Sequence, residues 1–216
     1  MIKMSKNNPP DNTLDVSVVS LSFAVELVDD YTNRKPIGNI SMMSLDIPNC
    51  KPILNKSGYW IFLNQNNIKS NPENSSKTIR VSSSYYFDVI QQINLENFDD
   101  PKNPLAVIRL IPKPNYPFLN NITLIRGLIN DNNKKPIKDA TIILSDNDIQ
   151  TTSTEKGDFV LYFVDPLKQI TEENFINHNT VDISLKISHP DFKEKILSSS
   201  IKSGKTTSYT ITMEAI

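Results

Sequence analysis

The sequence carries one pattern of residues twice, about one hundred positions apart. The segment at 34–41, RKPIGNIS, recurs at 134–141 as KKPIKDAT. Three further segments follow in the same order: 55–62, 79–86 and 105–110 in the first half, and 154–161, 185–192 and 208–213 in the second. A repeat of this length can form a domain with its own hydrophobic core. The chain of 216 residues is therefore predicted to be one module used twice.

The alternation of apolar and polar residues within each copy predicts β-strands. Positions 21, 23, 25 and 27 are apolar, which is the period of a half-buried strand. Similar stretches occupy 125–129, 141–144, 159–163, 181–187 and 209–213. Gly58 and Gly157 each precede an aromatic-led strand, where a hairpin turn needs a positive φ. The pattern predicts an all-β fold of two tandem β-sandwich domains.

The segment at 165–176 departs from this alternation. Its apolar residues at 167, 170 and 175 fit one face of one or two helical turns. We therefore expect one short helix in the second domain.

Three prolines separate the two copies and predict a stiff connector. Proline fixes φ and biases the preceding residue toward extended conformations, so the whole stretch is restricted. Apolar rings beside the prolines would cost free energy in water, so they are expected to pack against one or both sandwiches. The connector residues expected to set the interdomain angle are Pro112, Pro114, Tyr116, Pro117 and Phe118. The predicted boundaries are a flexible tail at 1–13, a first sandwich at 14–113, a connector at 114–120 and a second sandwich at 121–216.

The composition argues against several functional classes. Lys and Arg number 23 and Asp and Glu number 24, so the net charge of -1 favours neither a nucleic acid nor a membrane surface as partner. Cys50 is the single cysteine, and His178 and His189 are the two histidines. This inventory predicts no cofactor, no metal site and no catalytic residues, so we do not expect an enzyme. The polar start of the chain lacks the pattern of a secretory signal, which predicts a cytoplasmic location.

Acidic residues and His189 are assigned to turns. His189 precedes proline in Ser-His-Pro-Asp, where it ends a strand more readily than it acts as a base with Asp191. The adjacent carboxylates of Asp29 and Asp30 are interpreted as turn and surface charges. Asp131 opens a loop that lacks the glycine and terminal carboxylate of a calcium-binding loop, so a plain turn is expected there too.

Aromatic residues offer the clearest candidates for contact with a partner. Tyr59 alternates with Trp60 along a strand, so the tryptophan is expected in the core and the tyrosine outside. The run Tyr85-Tyr86-Phe87 must likewise place a ring outward. Tyr59, Tyr85 and Tyr86 are therefore the predicted partner contacts.

The second copy resembles the carboxypeptidase regulatory-like domain family. The likeness covers a first strand with glycine at Gly127, the segment KPIKDAT, the hairpin STEKGDF and the late motif HPDF at 189–192. In the first copy Glu26 or Leu27 stands at the early glycine position. The resemblance implies a transthyretin-like Greek-key sandwich, which in that family serves as an accessory module without catalytic residues.

A second resemblance concerns the junction between the copies. Segments 109–127 and 157–163 are similar to two-domain proteins encoded with contractile tail-like particles. This implies a non-catalytic structural or connecting subunit whose partners are other protein subunits, with a small-molecule ligand not expected. The alternative is a ligand-binding or adhesin-type module that recognises a glycan or peptide.

Overall fold

The structure is a computed structural model that describes residues 21–46, 51–63, 76–96, 98, 102–145, 149–163, 175–176 and 180–216. The strands within these residues are β1 (Leu21–Asp29), β2 (Ile40–Ser44), β3 (Ile53–Leu54), β4 (Tyr59–Leu63), β5 (Ser76–Ser83), β6 (Val89–Asn94), β7 (Leu105–Leu110), β8 (Thr123–Asp131), β9 (Thr141–Leu144), β10 (Gln150–Thr152), β11 (Asp158–Phe163), β12 (Phe175–Ile176), β13 (Thr180–His189), β14 (Phe192–Lys202) and β15 (Thr206–Met213). The described part of the chain contains no helix, and so none that could cross a membrane. The predicted all-β fold is confirmed.

The first sandwich consists of two sheets around one core. One sheet has the order β3-β4-β1-β7 and the other the order β2-β5-β6. The alternation in β1 buries Phe23, Val25 and Leu27 on the inner face. These side chains pack with Met42, Ile79 and Val81 of the opposite sheet. Burial of such apolar surface is the main favourable term in the stability of the sandwich.

The second sandwich has the same plan. One sheet has the order β11-β8-β15, and the other runs β10-β9-β13 with β12 and β14 also paired to β13. Its core is a separate cluster contributed by both sheets. In each sandwich the first strand is central, flanked by an antiparallel strand and a parallel last strand. This parallel pairing of first and last strands gives the two copies one topology.

Equivalent positions of the two copies agree in register and in backbone conformation. Asp29 lies opposite Leu110 in the first sandwich, and Asp131 lies opposite Met213 in the second. The turns after these aspartates contain Asn33 at φ 52° and Lys134 at φ 62°. Further positive-φ residues in corresponding turns are Gly38 and Asp139, and Gly58 and Gly157, with Asp139 one position beyond the residue that the sequence repeat aligns with Gly38. The repeat inferred from sequence is therefore a repeat of the fold.

Two details of the sequence prediction are corrected. Register places Val25 at the position of Gly127, in contrast to the predicted Glu26 or Leu27. The predicted helix at 165–176 lies mostly outside the described residues, but its last two residues form β12. Phe175 pairs with Val181, so backbone pairing with β13 fixes an extended conformation there.

Candidate functional site

The side chain of Asp29 is buried at the end of β1, where it accepts hydrogen bonds from the following turn, from Tyr86 and from the connector. Its Oδ1 accepts the amide of Tyr31 at 2.8 Å and that of Thr32 at 3.2 Å. Its Oδ2 accepts the hydroxyl of Tyr86 at 2.9 Å and that of Tyr116 at 2.6 Å. Asp29 is 0% exposed, so its sequence-based assignment to a surface charge is wrong. A buried carboxylate is stable only with such partners, and Asp29 has four.

The tyrosines around Asp29 are held in the neutral form. Burial, followed by the hydrogen bonding and charge of Asp29, raises the pKa of Tyr86 to about 12. Burial and the same carboxylate raise the pKa of Tyr116 above its ordinary range. Burial also raises the pKa of Tyr31, with the charge of Asp29 adding to it. These tyrosines therefore remain neutral phenols, and the hydroxyls of Tyr86 and Tyr116 donate to Asp29.

The neighbouring carboxylate, Asp30, connects the first sandwich to the second. Its Oδ2 accepts the hydroxyl of Tyr162, a β11 residue, at 2.6 Å. Burial and the hydrogen bond to Asp30 raise the pKa of Tyr162 well above its usual range. The ring of Tyr162 also packs edge-on against Tyr31, with centroids 5.6 Å apart. We call Asp29, Asp30, Tyr31, Tyr116 and Tyr162, with Phe118 and Arg126, the junction.

Phe118 and Arg126 complete the junction from the connector and from β8. The Phe118 ring lies 4.8 Å from that of Tyr116 and 5.5 Å from that of Tyr162. The Arg126 guanidinium lies 5.5 Å from the centre of the Phe118 ring and donates to the carbonyl of Pro114 at 2.5 Å. Desolvation lowers the pKa of Arg126. Stacking of arginine on an aromatic ring adds electrostatic attraction to packing.

The connector lies against the first sandwich. Pro112 forms a bridge with Tyr86, and the amide of Lys113 donates to the carbonyl of Tyr85 at 2.7 Å. Pro112 and Pro114 are buried, whereas Pro117 is exposed. Tyr116 is 5% exposed within the first core, and Phe118 is partly buried against it. That these residues fix the interdomain angle stays a prediction, but the structure shows side-chain contacts through which they can do so.

The predicted partner contacts separate into three different environments. Tyr86 is 0% exposed, so its assignment as a partner contact is wrong. It is buried because its hydroxyl reaches Asp29 and accepts the amide of Ile37 at 3.0 Å. Tyr85 is half-buried, with its ring 6.4 Å from that of Tyr116. Tyr59 is half-buried on β4, opposite Glu26.

The other candidate residues, His189 and Asp131, make hydrogen bonds within turns. The Nδ1 of His189 accepts the amide of Asp191 at 3.1 Å, which is a capping role at the end of β13. Asp131 Oδ1 accepts the amides of Asn133 and Lys135, each at 2.8 Å. Among the described residues no group of three or more His, Cys, Asp or Glu could hold a metal. Cys50 and His178 lie outside the described residues.

A cavity of about 320 Å³ opens beside the junction. Its polar lining includes Asp30, Gln150, Thr151 and Tyr162, and its apolar lining includes Ile111. The hydroxyl of Thr151 is buried without a hydrogen-bond partner in the described part of the chain. The cavity therefore offers hydrogen-bonding groups where the two sandwiches meet.

Sequence reasoning missed five members of the junction, which are Asp29, Asp30, Tyr31, Tyr162 and Arg126. Asp29 and Asp30 were assigned to the surface because an aspartate pair at a turn is usually solvated. Tyr162 lies on β11 between the buried Leu161 and Phe163, and the local sequence does not show what covers its ring. Arg126 is half-buried on β8, and nothing in the local sequence shows that this outer position is covered.

No protein-family model and no curated protein matches the sequence. Similar solved structures include 3-chlorocatechol 1,2-dioxygenase from Rhodococcus opacus 1CP, at 12% identity and a TM-score of 0.30. The TIE protein of Bacillus anthracis has 11% identity and a TM-score of 0.33, and the minor pilin GBS52 of Streptococcus agalactiae has 10% and 0.31.

These matches differ in how much of each protein they cover. The match to the dioxygenase covers 48% of this chain and 64% of the dioxygenase. The match to the TIE protein covers 82% of this chain and 34% of the TIE protein. The match to the pilin covers 90% of this chain and 97% of the pilin. The chain thus spans less than two thirds of the dioxygenase and about a third of the TIE protein. The function proposed below rests on the junction.

Proposed function

We propose that this protein is a non-catalytic connecting subunit whose contribution is a fixed relation between two β-sandwiches. The observation that carries the proposal is the junction. Asp29 binds the connector through Tyr116, and Asp30 binds the second sandwich through Tyr162. The Asp29–Tyr116 pair is buried and the Asp30–Tyr162 pair is partly buried, so an arrangement that separated either pair would leave a polar group less well satisfied.

The particle in which such a subunit would serve is the contractile tail-like particle. The support is the likeness of segments 109–127 and 157–163 to two-domain proteins encoded with such particles. In this proposal the chain is a cytoplasmic protein that binds other subunits, with a first domain at 14–113 and a second at 121–216.

Co-sedimentation tests the proposed function. An affinity tag is added to the chromosomal gene in the producing cell, and particles are purified by density gradient. The protein should co-sediment with sheath and tube proteins, and particles from a deletion strain should be incomplete in negative-stain images. Its absence from particle fractions, together with intact particles in the deletion strain, would overturn the assignment.

The cavity beside the junction supports a second candidate, a module that binds a small glycan or peptide. Pockets at domain interfaces are common ligand sites, and hydrogen-bonding groups of Asp30, Gln150 and Tyr162 line this one. A glycan and peptide array separates the two candidates. Saturable binding that Gln150→Ala abolishes would favour the ligand-binding module.

A further inference from the structure

The cavity beside the junction has walls from both sandwiches. On the side of the first sandwich it is lined by Asp30, which follows β1, and by Ile111, which follows β7. On the side of the second sandwich it is lined by Ile149, Gln150, Thr151, Val160, Leu161 and Tyr162. Its volume of about 320 Å³ lies within the range of small-ligand pockets. A molecule that fills the cavity therefore contacts both sandwiches at once.

One buried polar group in the cavity wall has no partner. Thr151 is 7% exposed, and its Oγ1 makes no hydrogen bond within the described part of the chain. A buried hydroxyl without a partner costs free energy, and a ligand that hydrogen bonds to it removes that cost. Gln150, the preceding residue of β10, is exposed and adds a side-chain amide at the cavity. The wall of the second sandwich therefore favours a ligand with a polar group.

Asp30 sets the charge that the cavity prefers. It is the one charged residue among the described residues that line the cavity. Its Oδ2 accepts the hydroxyl of Tyr162, which is a neutral donor. The Nη1 of Arg109 lies 3.7 Å from Oδ1, but this pair is exposed and the same Nη1 donates to Asn33 at 2.8 Å. Exposed ion pairs of this kind contribute little, so the carboxylate still favours a cation over an anion.

Aliphatic side chains form the rest of the cavity. Val160 and Leu161 are buried on β11, and Ile149 is partly buried against the second core. Ile111 is 44% exposed on the opposite wall. An alkyl chain placed between these side chains would remove apolar surface from water on both sides. The lining therefore fits an alkyl chain that ends in a cation.

An ammonium matches the acceptors of the cavity better than a guanidinium does. A guanidinium pairs with a carboxylate through two parallel hydrogen bonds, which need both oxygens. The Oδ2 of Asp30 already accepts the hydroxyl of Tyr162 at 2.6 Å. An ammonium is a compact charge with three donors, and the acceptors in the lining include Asp30 Oδ1, Thr151 Oγ1 and the side-chain carbonyl of Gln150.

We propose that the cavity binds a primary alkylammonium group, carried by a lysine of a partner protein or by a free aliphatic amine, and that the bound group stabilises the arrangement in which the junction is formed. Asp30 and Thr151 accept hydrogen bonds from the ammonium, and the alkyl stem lies along Ile111 and Ile149. Because the walls belong to different sandwiches, the ligand binds this arrangement more tightly than a separated one. The inference rests on the proposed connecting role of the junction and adds a ligand that reinforces it.

Isothermal titration calorimetry of the full chain tests the ammonium site. The probe is Nα-acetyl-lysine N-methylamide, and the matched control is the norleucine derivative, which has nearly the same stem without the ammonium. Saturable binding is expected for the lysine probe, and binding at least about tenfold weaker for the control, because a charged hydrogen-bond donor is lost. The arginine derivative should also bind more weakly than the lysine probe.

Cadaverine, titrated in the same way, identifies the source of the ammonium. It presents the same group on an alkyl chain without a peptide backbone. Tighter binding of cadaverine than of the lysine probe supports the site with a free amine as its ligand. The reverse order supports the site with a partner's lysine as its ligand.

Four variants locate the site. Asp30→Asn should weaken binding of the lysine probe at least about tenfold and Thr151→Val about threefold, because they remove a charged and a neutral partner respectively. Thr151→Val should melt no lower than the parent, since it removes a buried hydroxyl that has no partner in the described part of the chain. Tyr162→Phe breaks the junction bond but keeps the carboxylate of Asp30, so it should weaken binding less than Asp30→Asn does. Asp131→Asn, at the equivalent turn of the second sandwich, should leave the affinity unchanged.

Phe118→Ser tests the effect on the two sandwiches. Phe118 is not among the lining residues, but its ring packs 5.5 Å from that of Tyr162 in the junction. Loss of this contact should lower the population of the arrangement that binds the ligand, and the apparent affinity falls in proportion. Parent affinity in Phe118→Ser, when a broadened interdomain distance distribution shows that its junction is loosened, would overturn the stabilising effect.

Three results would overturn the ammonium site itself. The first is no binding of either the lysine probe or cadaverine. The second is equal affinity for the lysine and norleucine derivatives, since the charge would then contribute nothing. The third is full affinity in Asp30→Asn, or an equal loss in Tyr162→Phe, since the carboxylate would then not be the acceptor.

Two results separate this proposal from the proposed function. If the amines do not bind while the protein co-sediments with particles, the connecting role stands without the ligand. If the amines bind as described and the protein never enters particles, the ammonium site stands and the assignment to a particle fails.

Discussion

The hydroxyl of Tyr162 donates a 2.6 Å hydrogen bond to Asp30, joining side chains 132 positions apart on two different sandwiches. Asp30 stands next to Asp29, whose carboxylate accepts the hydroxyl of Tyr116 from the connector. The last residue of β1, Asp29, therefore binds the connector, and the next residue, Asp30, binds the second sandwich.

We predict that Tyr162→Phe weakens the coupling of the two sandwiches while keeping the ring in place. The lost hydrogen bond should reduce coupling by about 1 kcal/mol, because Asp30 remains partly exposed to solvent. A double-mutant cycle with Asp30→Asn, followed by thermal unfolding, measures this energy. Strictly additive effects of the two substitutions would mean that the pair contributes nothing to coupling.

Asp29→Ala should destabilise the first sandwich by about 3 to 5 kcal/mol, because it leaves two buried hydroxyls and two amides without their acceptor. Denaturant unfolding followed by fluorescence measures the loss. The matched control is Asp131→Ala at the equivalent turn, where the carboxylate accepts two amides near the surface and the expected loss is about 1 kcal/mol. Equal losses at the two positions would contradict the special role of Asp29.

High pH should weaken the junction through its tyrosines. The folded state raises the pKa of Tyr86 from 10.0 to about 12 and raises those of Tyr116 and Tyr162 as well. The folded protein therefore favours the neutral phenol, so this stabilisation is complete below pH 10 and is lost as pH rises through the raised values.

Absorbance of phenolate at 295 nm checks this expectation. Tyr86, Tyr116 and Tyr162 should titrate late and together with unfolding. Tyr116→Phe should remove one late-titrating group. A single titration of all tyrosines near pH 10 in the folded protein would refute the expected shifts.

The strands were predictable from sequence because alternation along one strand is a local property. The hairpin glycines and the matching turns followed from the same local chemistry, and the repeat confirmed them at positions such as Asn33 and Lys134. Burial of Asp29 and Tyr86 was not predictable in this way. Their environment depends on Tyr116 and on residues of another strand, and the alternation of Tyr85-Tyr86-Phe87 does not say which ring turns inward.

Gly127→Ala should destabilise the second sandwich by about 2 kcal/mol, because a methyl group there would overlap the ring of Phe159 and approach the carbonyl of Tyr209. The control is the double substitution Gly127→Ala with Phe159→Leu, in which the smaller side chain makes room. Chemical denaturation of the single and double variants measures both. If Gly127→Ala alone is neutral, the close packing of Phe159 does not explain the glycine.

Two features could fix the orientation of one sandwich relative to the other: the restricted backbone of the connector prolines, or the side-chain contacts of the junction. The sequence indicated the prolines, but the structure adds the rings of Tyr116, Phe118 and Tyr162. These alternatives predict different outcomes for separate substitutions. Replacing the three prolines by alanine tests stiffness, and Phe118→Ser with Tyr162→Ser tests the contacts.

The most direct measurement is the distance distribution between spin labels at exposed Gln91 and Ser198, one on each sandwich, in a Cys50→Ser background. The account predicts one narrow distribution for the parent. It also predicts that the distribution stays narrow after Pro112, Pro114 and Pro117 are changed to alanine, and that it broadens after Phe118→Ser with Tyr162→Ser. A distribution that broadens only in the proline variant, or is broad in the parent, would contradict the claim that the junction fixes the two sandwiches.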